Sequence, residues 1–384
     1  MKSNKKYIRE SFRLYLPPAV GYNFPLLINL LRKYGVDNGY YARALVISLI
    51  SMIGVPFRIY EKLAYDRKAE KHRMPEPPVF ILGHWRSGTT HLHNLLCQDP
   101  QSAYVTTYQS VFPDQTLAPL ARFVFKNIMK MLIPVNRKGD NVKLGSDYPQ
   151  EEEFALAARS PASYYFFWYF PEMMLQFFDD FLSFEQGDKK LREAFITDYR
   201  RLIKKALINT GNGRFLSKNP VHTGRIPLLL EMFPDARFIH IHRNPVDVIL
   251  STRHFFSKMM PGLTLHKVDY DKINEDIYTV YRRLMQQYLD TRAMIPEGNL
   301  VEVRYDDLTA NPIAEIERIY KAFGFSGYAR AKPRIEAYAE MKKNYVGNKY
   351  DIKQSLLDEI LEQTNFTMKH YGYNVPDGLG ITGK

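Results

Sequence analysis

The stretch that decides the fold is VFILGHWRSGTTHLHNLLCQ, residues 79–98. It opens with a continuous apolar run at 79–82, which is typical of a parallel strand buried on both faces. Residues 83–90 hold two glycines and several small hydroxyl residues, and they predict a turn-forming loop. The remainder predicts a helix that ends where Asp-Pro follows. The segment is therefore interpreted as a strand, a loop and a helix.

The loop has the spacing of an anion-binding turn. Gly83 and Gly88 match the phosphate-binding pattern GxxxxGK[ST], in which backbone N–H groups and a helix N-terminus surround an anion. In nucleotide hydrolases the lysine of that pattern neutralises the terminal phosphates, but here the position holds Thr89. The positive charge lies inside the loop instead, at Arg86. We therefore expect a smaller anion, without the usual lysine and magnesium arrangement.

Further apolar runs extend this pattern along the chain. They predict strands at 103–108, 214–216, 236–242 and 300–303, with helices between them. This alternation favours a three-layer α/β fold with a central parallel sheet and a P-loop-like loop. Residues 1–70 predict a helical N-terminal extension, and the charged, proline-rich stretch 71–78 connects it to an α/β domain at 71–384.

A second polar loop follows the predicted strand 236–242. Arg243-Asn244-Pro245 comes directly after the strand, and Ser251 lies eight positions beyond the arginine. An arginine at a strand end can bind a phosphate through two parallel hydrogen bonds, and a serine on the next helix can add a hydroxyl donor. Ligands of parallel sheets bind beyond the carboxyl ends of the strands, so we expect both loops to line one cleft.

These motifs resemble those of a known enzyme family. WRSGTT at 85–90 resembles the 5′-phosphosulfate loop of sulfotransferases that use 3′-phosphoadenosine-5′-phosphosulfate (PAPS). That family typically carries Lys-Ser-Gly-Thr-Thr, so Arg86 stands at the lysine position. Residues 236–251 are similar to the family's 3′-phosphate-binding element, and LSKNP at 216–220 resembles its Leu-Lys-Ser/Asn-Pro strand end.

The resemblance implies transfer of a sulfonate group from PAPS to an acceptor hydroxyl, with no metal. It implies that the 5′-phosphosulfate is held by Arg86, Ser87, Gly88, Thr89 and Thr90. Arg243 and Ser251 would hold the 3′-phosphate, and Lys218 would contact the sulfonate or the bridging oxygen. Because arginine does not readily give up a proton, Arg86 should act as a clamp and not as a general acid.

The base is less clearly indicated. A hydroxyl that attacks sulfur must lose its proton, and a positioned base typically contributes about 10²–10⁴-fold. The histidine that cytosolic sulfotransferases use has no counterpart in residues 104–113. Other branches of the family use a glutamate, which favours Glu151 or Glu153 at the start of a predicted helix. His91 or His93 is the alternative, and an acidic helix start without a catalytic role also stays open.

The acceptor is indicated only by composition. The aromatic run YYFFWYF at 164–170 favours ordinary core packing; as the lining of an acceptor pocket it would suit an apolar alcohol such as a sterol, lipid or phenol, and a sugar acceptor stays open. The chain has 53 Lys and Arg against 41 Asp and Glu, a net charge of +12, which favours anionic partners. No basic run is interleaved with aromatic residues, so a nucleic-acid partner is not expected.

Location is predicted from the cysteine count and the apolar segments. The single cysteine, Cys97, and the lack of a signal-type apolar stretch near residue 1 favour the cytoplasm. The apolar segment 44–57 is shorter than the roughly 20 residues needed to span a bilayer, so a buried helix is favoured over one lying on a membrane. Two other functions stay open: a P-loop kinase-like phosphotransferase and a non-enzymatic, membrane-surface nucleotide-binding protein.

Overall fold

The computed structural model describes residues 17–132, 145–182, 184, 188–211, 213–343, 348 and 350–382. The predicted strands form the core of the fold, as β1 Val79–Leu82, β2 Ser102–Ala103, β3 Arg214–Lys218, β4 Arg237–His242 and β5 Leu300–Arg304. All five are parallel, in the order β2–β3–β1–β4–β5. Strand β1 is buried along its whole length, as its apolar sequence predicts, and β3 is equally buried although it carries Arg214, Ser217 and Lys218.

Alternate side chains of each strand supply two separate cores. Phe80 and Phe238 belong to a large aromatic-rich core on one face of the sheet. Ile81 and Ile239 belong to a smaller core on the other face, which includes Leu92 of the helix that follows the first loop. Helices on both faces and a sheet between them make three layers, so the predicted fold class is confirmed.

The helices lie before, between and after the strands. They are α1 Phe24–Tyr34, α2 Tyr41–Ile53, α3 Val55–Glu61, α4 Arg67–Lys71, α5 Thr89–Leu96, α6 Thr107–Val111, α7 Pro119–Leu132, α8 Glu152–Arg159, α9 Met174–Phe181, α10 Lys189–Thr210, α11 Ile226–Met232, α12 Pro245–Leu263, α13 Tyr270–Thr291, α14 Tyr305–Ala310, α15 Pro312–Phe323, α16 Tyr328–Lys342 and α17 Gln354–Tyr371. A π turn, Lys62–Asp66, joins α3 to α4. Short strands β6 Asp351–Lys353 and β7 Gly380–Thr382 pair near the C-terminus.

The second predicted strand is shorter than expected. Residues 103–108 are predicted as a strand, but only Ser102–Ala103 pair with β3, and α6 begins at Thr107. The Thr106 hydroxyl accepts a hydrogen bond from the Gln109 backbone N–H at 3.1 Å and caps this helix. The cap is available because threonine offers the backbone an alternative to strand pairing.

The N-terminal helices pack onto the same core as the sheet. Ala19, Leu27 and Ile47 share the aromatic-rich core with Phe80. The division into an extension at 1–70 and a domain at 71–384 stays a prediction, and residues 1–16 lie outside the described residues.

The apolar segment 44–57 is helical but only one of its faces is buried. Ala44 and Ile47 are buried, whereas Leu45 and Leu49 on the other side are exposed. The prediction of a buried helix is therefore wrong for that outer face. The continuous helix Tyr41–Lys71 is long and apolar enough to cross a membrane, and only 28% of its most apolar 18-residue window is buried.

Candidate active site

Both predicted loops open on one cleft. Leu82 at the end of β1 pairs in register with His240, so the loops after β1 and β4 leave neighbouring strands at the same edge. The Arg86 guanidinium donates from Nε to Ser251 Oγ at 3.0 Å and joins the first loop to the helix that follows the second loop. A cleft of about 720 Å³ is lined by predicted site residues from both loops, namely Arg86, Gly88, Thr89, Thr90, Arg243 and Ser251.

Tight backbone geometry shapes the first loop. Gly88 has a φ of +101°, and a Cβ there would lie 2.3 Å from the Tyr305 ring. Gly83 has a φ of +141°, and a Cβ there would meet the backbone oxygen of Ile241 at 2.4 Å. Both positions therefore require glycine. Arg86 also has a positive φ, of 69°. This backbone conformation is unfavourable for residues with a side chain, and it occurs often at functional sites.

Ser87 lies apart from the other loop residues. Its hydroxyl donates to the backbone oxygen of His84 at 2.7 Å, and its own N–H bonds to the same oxygen at 3.2 Å. The side chain is buried and does not line the cleft. The structure therefore gives Ser87 a part in closing the turn.

Arg243 is held in place from two sides. One Nη donates to Asp247 Oδ2 at 3.1 Å, and the guanidinium lies 4.6 Å from the centre of the Tyr305 ring. Its buried Nε has no hydrogen-bond partner within the described part of the chain. A buried donor without a partner is costly, so an anion bound in the cleft would satisfy it.

The C-terminal region lines one side of the cleft, which the sequence motifs did not predict. Lys342 and Lys343 at the end of α16 line the cleft, together with Tyr338 and Tyr350. Burial and the nearby charge of Lys342 lower the pKa of His91, which also lines the cleft, to about 4. The adjacent lysines were a visible signal in the sequence, but nothing local showed that α16 returns to this edge of the sheet.

The acidic triplet separates into three environments, and Glu151 is the member next to Lys218. Lys218 Nζ donates to Glu151 Oε1 at 2.6 Å, and the Tyr165 hydroxyl donates to Glu151 Oε2. Trp85 Nε1 donates to the Tyr165 oxygen at 2.8 Å. A chain of hydrogen bonds therefore runs from the first loop, through Tyr165 and Glu151, to the end of β3. Glu151 is 8% exposed.

The other two glutamates point into the protein. Glu152 accepts from Ser217 Oγ and from the Lys218 backbone N–H, both at 3.2 Å, and burial raises its pKa to about 8. Glu153 is fully buried and accepts from Arg225 at 2.8 Å and from Asn219 Nδ2 at 2.7 Å. This geometry gives Glu153 a structural role and no access for an acceptor, so of the two predicted candidates only Glu151 stays a candidate for the base.

The alternative base His93, on α5, is fully buried, and His84 in the first loop is also buried. Neither ring nitrogen of His93 has a hydrogen-bond partner within the residues described. Burial, with the charge of Lys218, lowers the His93 pKa to about 3. The His84 ring packs against Tyr281, and burial lowers its pKa to about 4. Both histidines are therefore neutral core residues near neutral pH.

The aromatic run 164–170 lies in the core. All seven side chains are at most 2% exposed, and residues Tyr164–Trp168 form a 3₁₀ helix. Tyr165 is the member that reaches the chain of hydrogen bonds through its hydroxyl. The run therefore packs in the core beneath the site, which was one of the three interpretations of its sequence.

Comparison with known proteins agrees with this geometry. A model of the sulfotransferase family matches residues 77–329. The chain belongs to the sulfotransferase family. This sulfotransferase is 28% identical, over 377 residues and 96% of both chains, to the omega-hydroxy-beta-dihydromenaquinone-9 sulfotransferases Stf3 of Mycobacterium bovis and Mycobacterium tuberculosis.

Solved structures show the same fold. Sulfotransferase STF9 from Mycobacterium avium has a TM-score of 0.64 at 16% identity, covering 92% of this chain and 98% of its own. Sulfotransferase STF1 from Mycobacterium tuberculosis has a TM-score of 0.61 at 18% identity, covering 88% and 89%. At these identities the similarity establishes the architecture alone.

Family membership makes this protein an enzyme that transfers sulfonate from PAPS. The predictions of family, fold, enzyme class and co-substrate are confirmed at that level. In the part of the chain that the structure describes, no group of three or more His, Cys, Asp and Glu side chains could hold a metal ion. The expectation that the reaction needs no metal stays a prediction.

Proposed function

We propose that this sulfotransferase moves the sulfonate of PAPS to the hydroxyl of a lipophilic alcohol, with Glu151 as the base. The observation that carries the proposal is the pairing of Glu151 with Lys218 at 2.6 Å, beside the loop that follows β1. A carboxylate held by a cation and a tyrosine hydroxyl keeps a fixed orientation, which a general base requires.

PAPS is proposed to bind across the two loops. The 5′-phosphosulfate would lie over Gly88, Thr89 and Thr90 at the N-terminus of α5, where backbone N–H groups favour an anion. Arg86 would neutralise it from inside the loop, and Ser87 would keep the loop closed. The 3′-phosphate would be held by Arg243 and Ser251, with the charges of Lys342 and Lys343 nearby.

The transfer would proceed by in-line displacement at sulfur. The acceptor oxygen forms the new S–O bond while the bond from sulfur to the bridging phosphate oxygen breaks, and adenosine 3′,5′-bisphosphate leaves. Glu151 takes the acceptor's proton. Lys218 and Arg86 stabilise the negative charge that develops on the leaving phosphate. Lys218 is 1% exposed, so its charge acts where water screens little.

The proposal of a lipophilic acceptor is supported by the relatives that match this protein over nearly its whole chain. The curated relatives named above are called sulfotransferases of a menaquinone derivative, a long apolar molecule with a hydroxyl group. The apolar helix at 44–57 fits the same chemistry, because an enzyme acting on such an acceptor must reach it in or near a bilayer. The proposed location is the cytoplasm, with membrane contact through this segment.

A screen with radiolabelled PAPS tests this proposal. The acceptors are a hydroxylated isoprenoid quinone, a long-chain alcohol, a sterol, a simple phenol and a glycan, each dispersed in mild detergent. We expect transfer to the long apolar alcohols and little transfer to the glycan. Preferred transfer to the glycan would refute the proposal of a lipophilic acceptor. Binding of adenosine 3′,5′-bisphosphate without transfer to any of these hydroxyl compounds would refute the proposal that the acceptor is an alcohol.

A further inference from the structure

The outer side of the N-terminal helices carries a continuous apolar stripe. Leu45, Leu49 and Ile53 are each more than 40% exposed and follow one another at intervals of four residues, which places them on one face of α2. The stripe continues through Tyr60 on α3 to Leu63 in the π turn, which is 79% exposed. Large apolar side chains in such a row are unusual on a surface that meets only water.

Helix α7 widens the stripe into a surface. The Phe57 and Phe125 rings contact each other at 5.3 Å between centroids and join α3 to α7. The Glu61 carboxylate accepts the backbone N–H groups of Leu117 and Ala118, at 2.9 and 3.1 Å, and fixes the entry to α7. Beyond this junction Leu120 is 66% exposed and Phe123 is 69% exposed. We call the stripe and these two residues the apolar surface.

The opposite side of the same helices carries polar side chains that form hydrogen bonds and ion pairs with the rest of the protein. Arg58 donates to the backbone oxygens of Ser51 and Tyr22 at 2.8 and 2.6 Å. Lys205, which is 1% exposed, pairs with Glu61 at 2.9 Å and with Asp66 at 3.2 Å. A helix that crossed a bilayer would carry these charges into hydrocarbon without their partners, at a cost of several kcal/mol each. The helix can therefore present its outer half to a membrane but cannot span one in this fold.

The charge around the apolar surface fits an anionic bilayer. Glu61 is the one acidic residue between positions 41 and 63, and its side chain is buried. Four exposed basic residues follow at the C-terminal end of the helix: Lys62, Arg67, Lys68 and Lys71. Glu70 among them is paired with Arg201 at 3.1 Å. Apolar side chains flanked by unopposed cations are the pattern of helices that lie in the headgroup region.

We propose that the apolar surface inserts into one leaflet of an anionic membrane and holds the enzyme there without crossing it. Leu63 and Phe123 enter the boundary between headgroups and acyl chains, and Lys62 and Lys68 meet the anionic headgroups. The proposal concerns a surface apart from the catalytic cleft. A lipophilic acceptor would then be taken from the membrane on which the enzyme lies.

Vesicle co-sedimentation with the full chain tests the proposal. The vesicles are phosphatidylcholine alone and phosphatidylcholine mixed with phosphatidylglycerol. We expect binding to the mixed vesicles that falls at least about tenfold in Leu63→Ser/Phe123→Ser, because two large apolar side chains no longer insert. Lys62→Glu/Lys68→Glu should remove the preference for phosphatidylglycerol. The matched control is Met294→Ser, which changes an apolar side chain that is 55% exposed outside the surface.

Binding of adenosine 3′,5′-bisphosphate is measured on every variant. A variant that still binds this nucleotide is folded, so its loss of vesicle binding reports a loss of membrane contact. The nucleotide measurement also separates this proposal from the proposed activity, which is measured on a detergent-dispersed acceptor. Equal vesicle binding by wild type and Leu63→Ser/Phe123→Ser would overturn the proposal. A second result would also overturn it: wild type is a dimer in light scattering and does not bind vesicles, whereas the Leu63→Ser/Phe123→Ser variant is a monomer. A second copy of the chain would then cover the apolar surface.

Discussion

Replacing Glu151 by glutamine removes the proposed proton acceptor and changes little else in shape. A positioned base contributes about 10²–10⁴-fold in rate, which corresponds to about 3–5 kcal/mol of transition-state stabilisation. We therefore expect kcat to fall by that factor. The affinity for adenosine 3′,5′-bisphosphate should be unchanged, because Glu151 does not line the nucleotide cleft.

The substitution also affects stability, and the structure shows how to separate the two effects. Lys218 is 1% exposed and bonded to Glu151 at 2.6 Å, so neutralising the glutamate removes a negative charge that stabilises a buried cation. Breaking such a pair from one side costs up to about 3–5 kcal/mol. Replacing both residues, as Glu151→Gln/Lys218→Met, removes the buried cation together with its partner. We expect the double variant to recover stability and to stay inactive.

The assay is single-turnover transfer from radiolabelled PAPS, with thermal unfolding measured on the same preparations. Glu172→Gln is the matched control, because Glu172 is exposed and lies outside the site. A Glu151→Gln enzyme whose kcat stays within about threefold of wild type would refute the assignment, since a true base contributes far more. Recovery of activity in the double variant would refute it as well.

Three further predictions concern the cofactor cleft and the hydrogen-bond chain. Arg243→Ala should weaken adenosine 3′,5′-bisphosphate binding by about 1.5–3 kcal/mol in calorimetry, whereas Lys258→Ala, an exposed change on the helix that follows, should not; equal affinities would remove the 3′-phosphate assignment. Tyr165→Phe should lower kcat about tenfold without changing nucleotide affinity, through the lost hydrogen bond to the carboxylate, and an unchanged kcat would exclude a positioning role. Burial raises the Glu152 pKa from 4.5 to about 8, so its contribution to stability is complete below pH 4.5 and is lost as the pH rises towards 8. Denaturant unfolding of Glu152→Gln between these pH values should show a flatter dependence than wild type, and an identical dependence would contradict the shift.

Local sequence patterns were enough to predict the parts of the structure that depend on residues close together in the chain. The apolar run 79–82 became a buried central strand because only a strand inside the sheet can bury every side chain of so short a run. Gly88 was identifiable from its spacing in the phosphate-binding pattern, and the structure shows the reason for glycine there, since a positive φ and the close approach of Tyr305 leave no space for a Cβ. The arginine after β4 was placed by the same logic, since strand ends of a parallel sheet meet at one edge.

Long-range contacts decided the rest. Nothing near the acidic triplet in sequence shows that Glu151 meets Lys218, 67 residues away, while Glu153 meets Arg225, 72 residues away. Helix periodicity separates consecutive side chains by about 100° but names no partner for any of them. Only the packing of α8 against the ends of β3 and the aromatic run assigns each carboxylate a partner. The lysines of α16 are a further case, because their place in the cleft depends on the path of the chain after β5.

By itself, then, the sequence determined the strand-loop-helix units, the edge of the sheet where they open and the family to which the chain belongs, because backbone geometry and binding motifs are encoded within a few residues. Tertiary structure alone decided which glutamate is paired with Lys218 and which face of the helix at 44–57 stays uncovered. Both depend on the burial of side chains by segments far along the chain, and the free energy of a carboxylate or an apolar side chain is set by those surroundings.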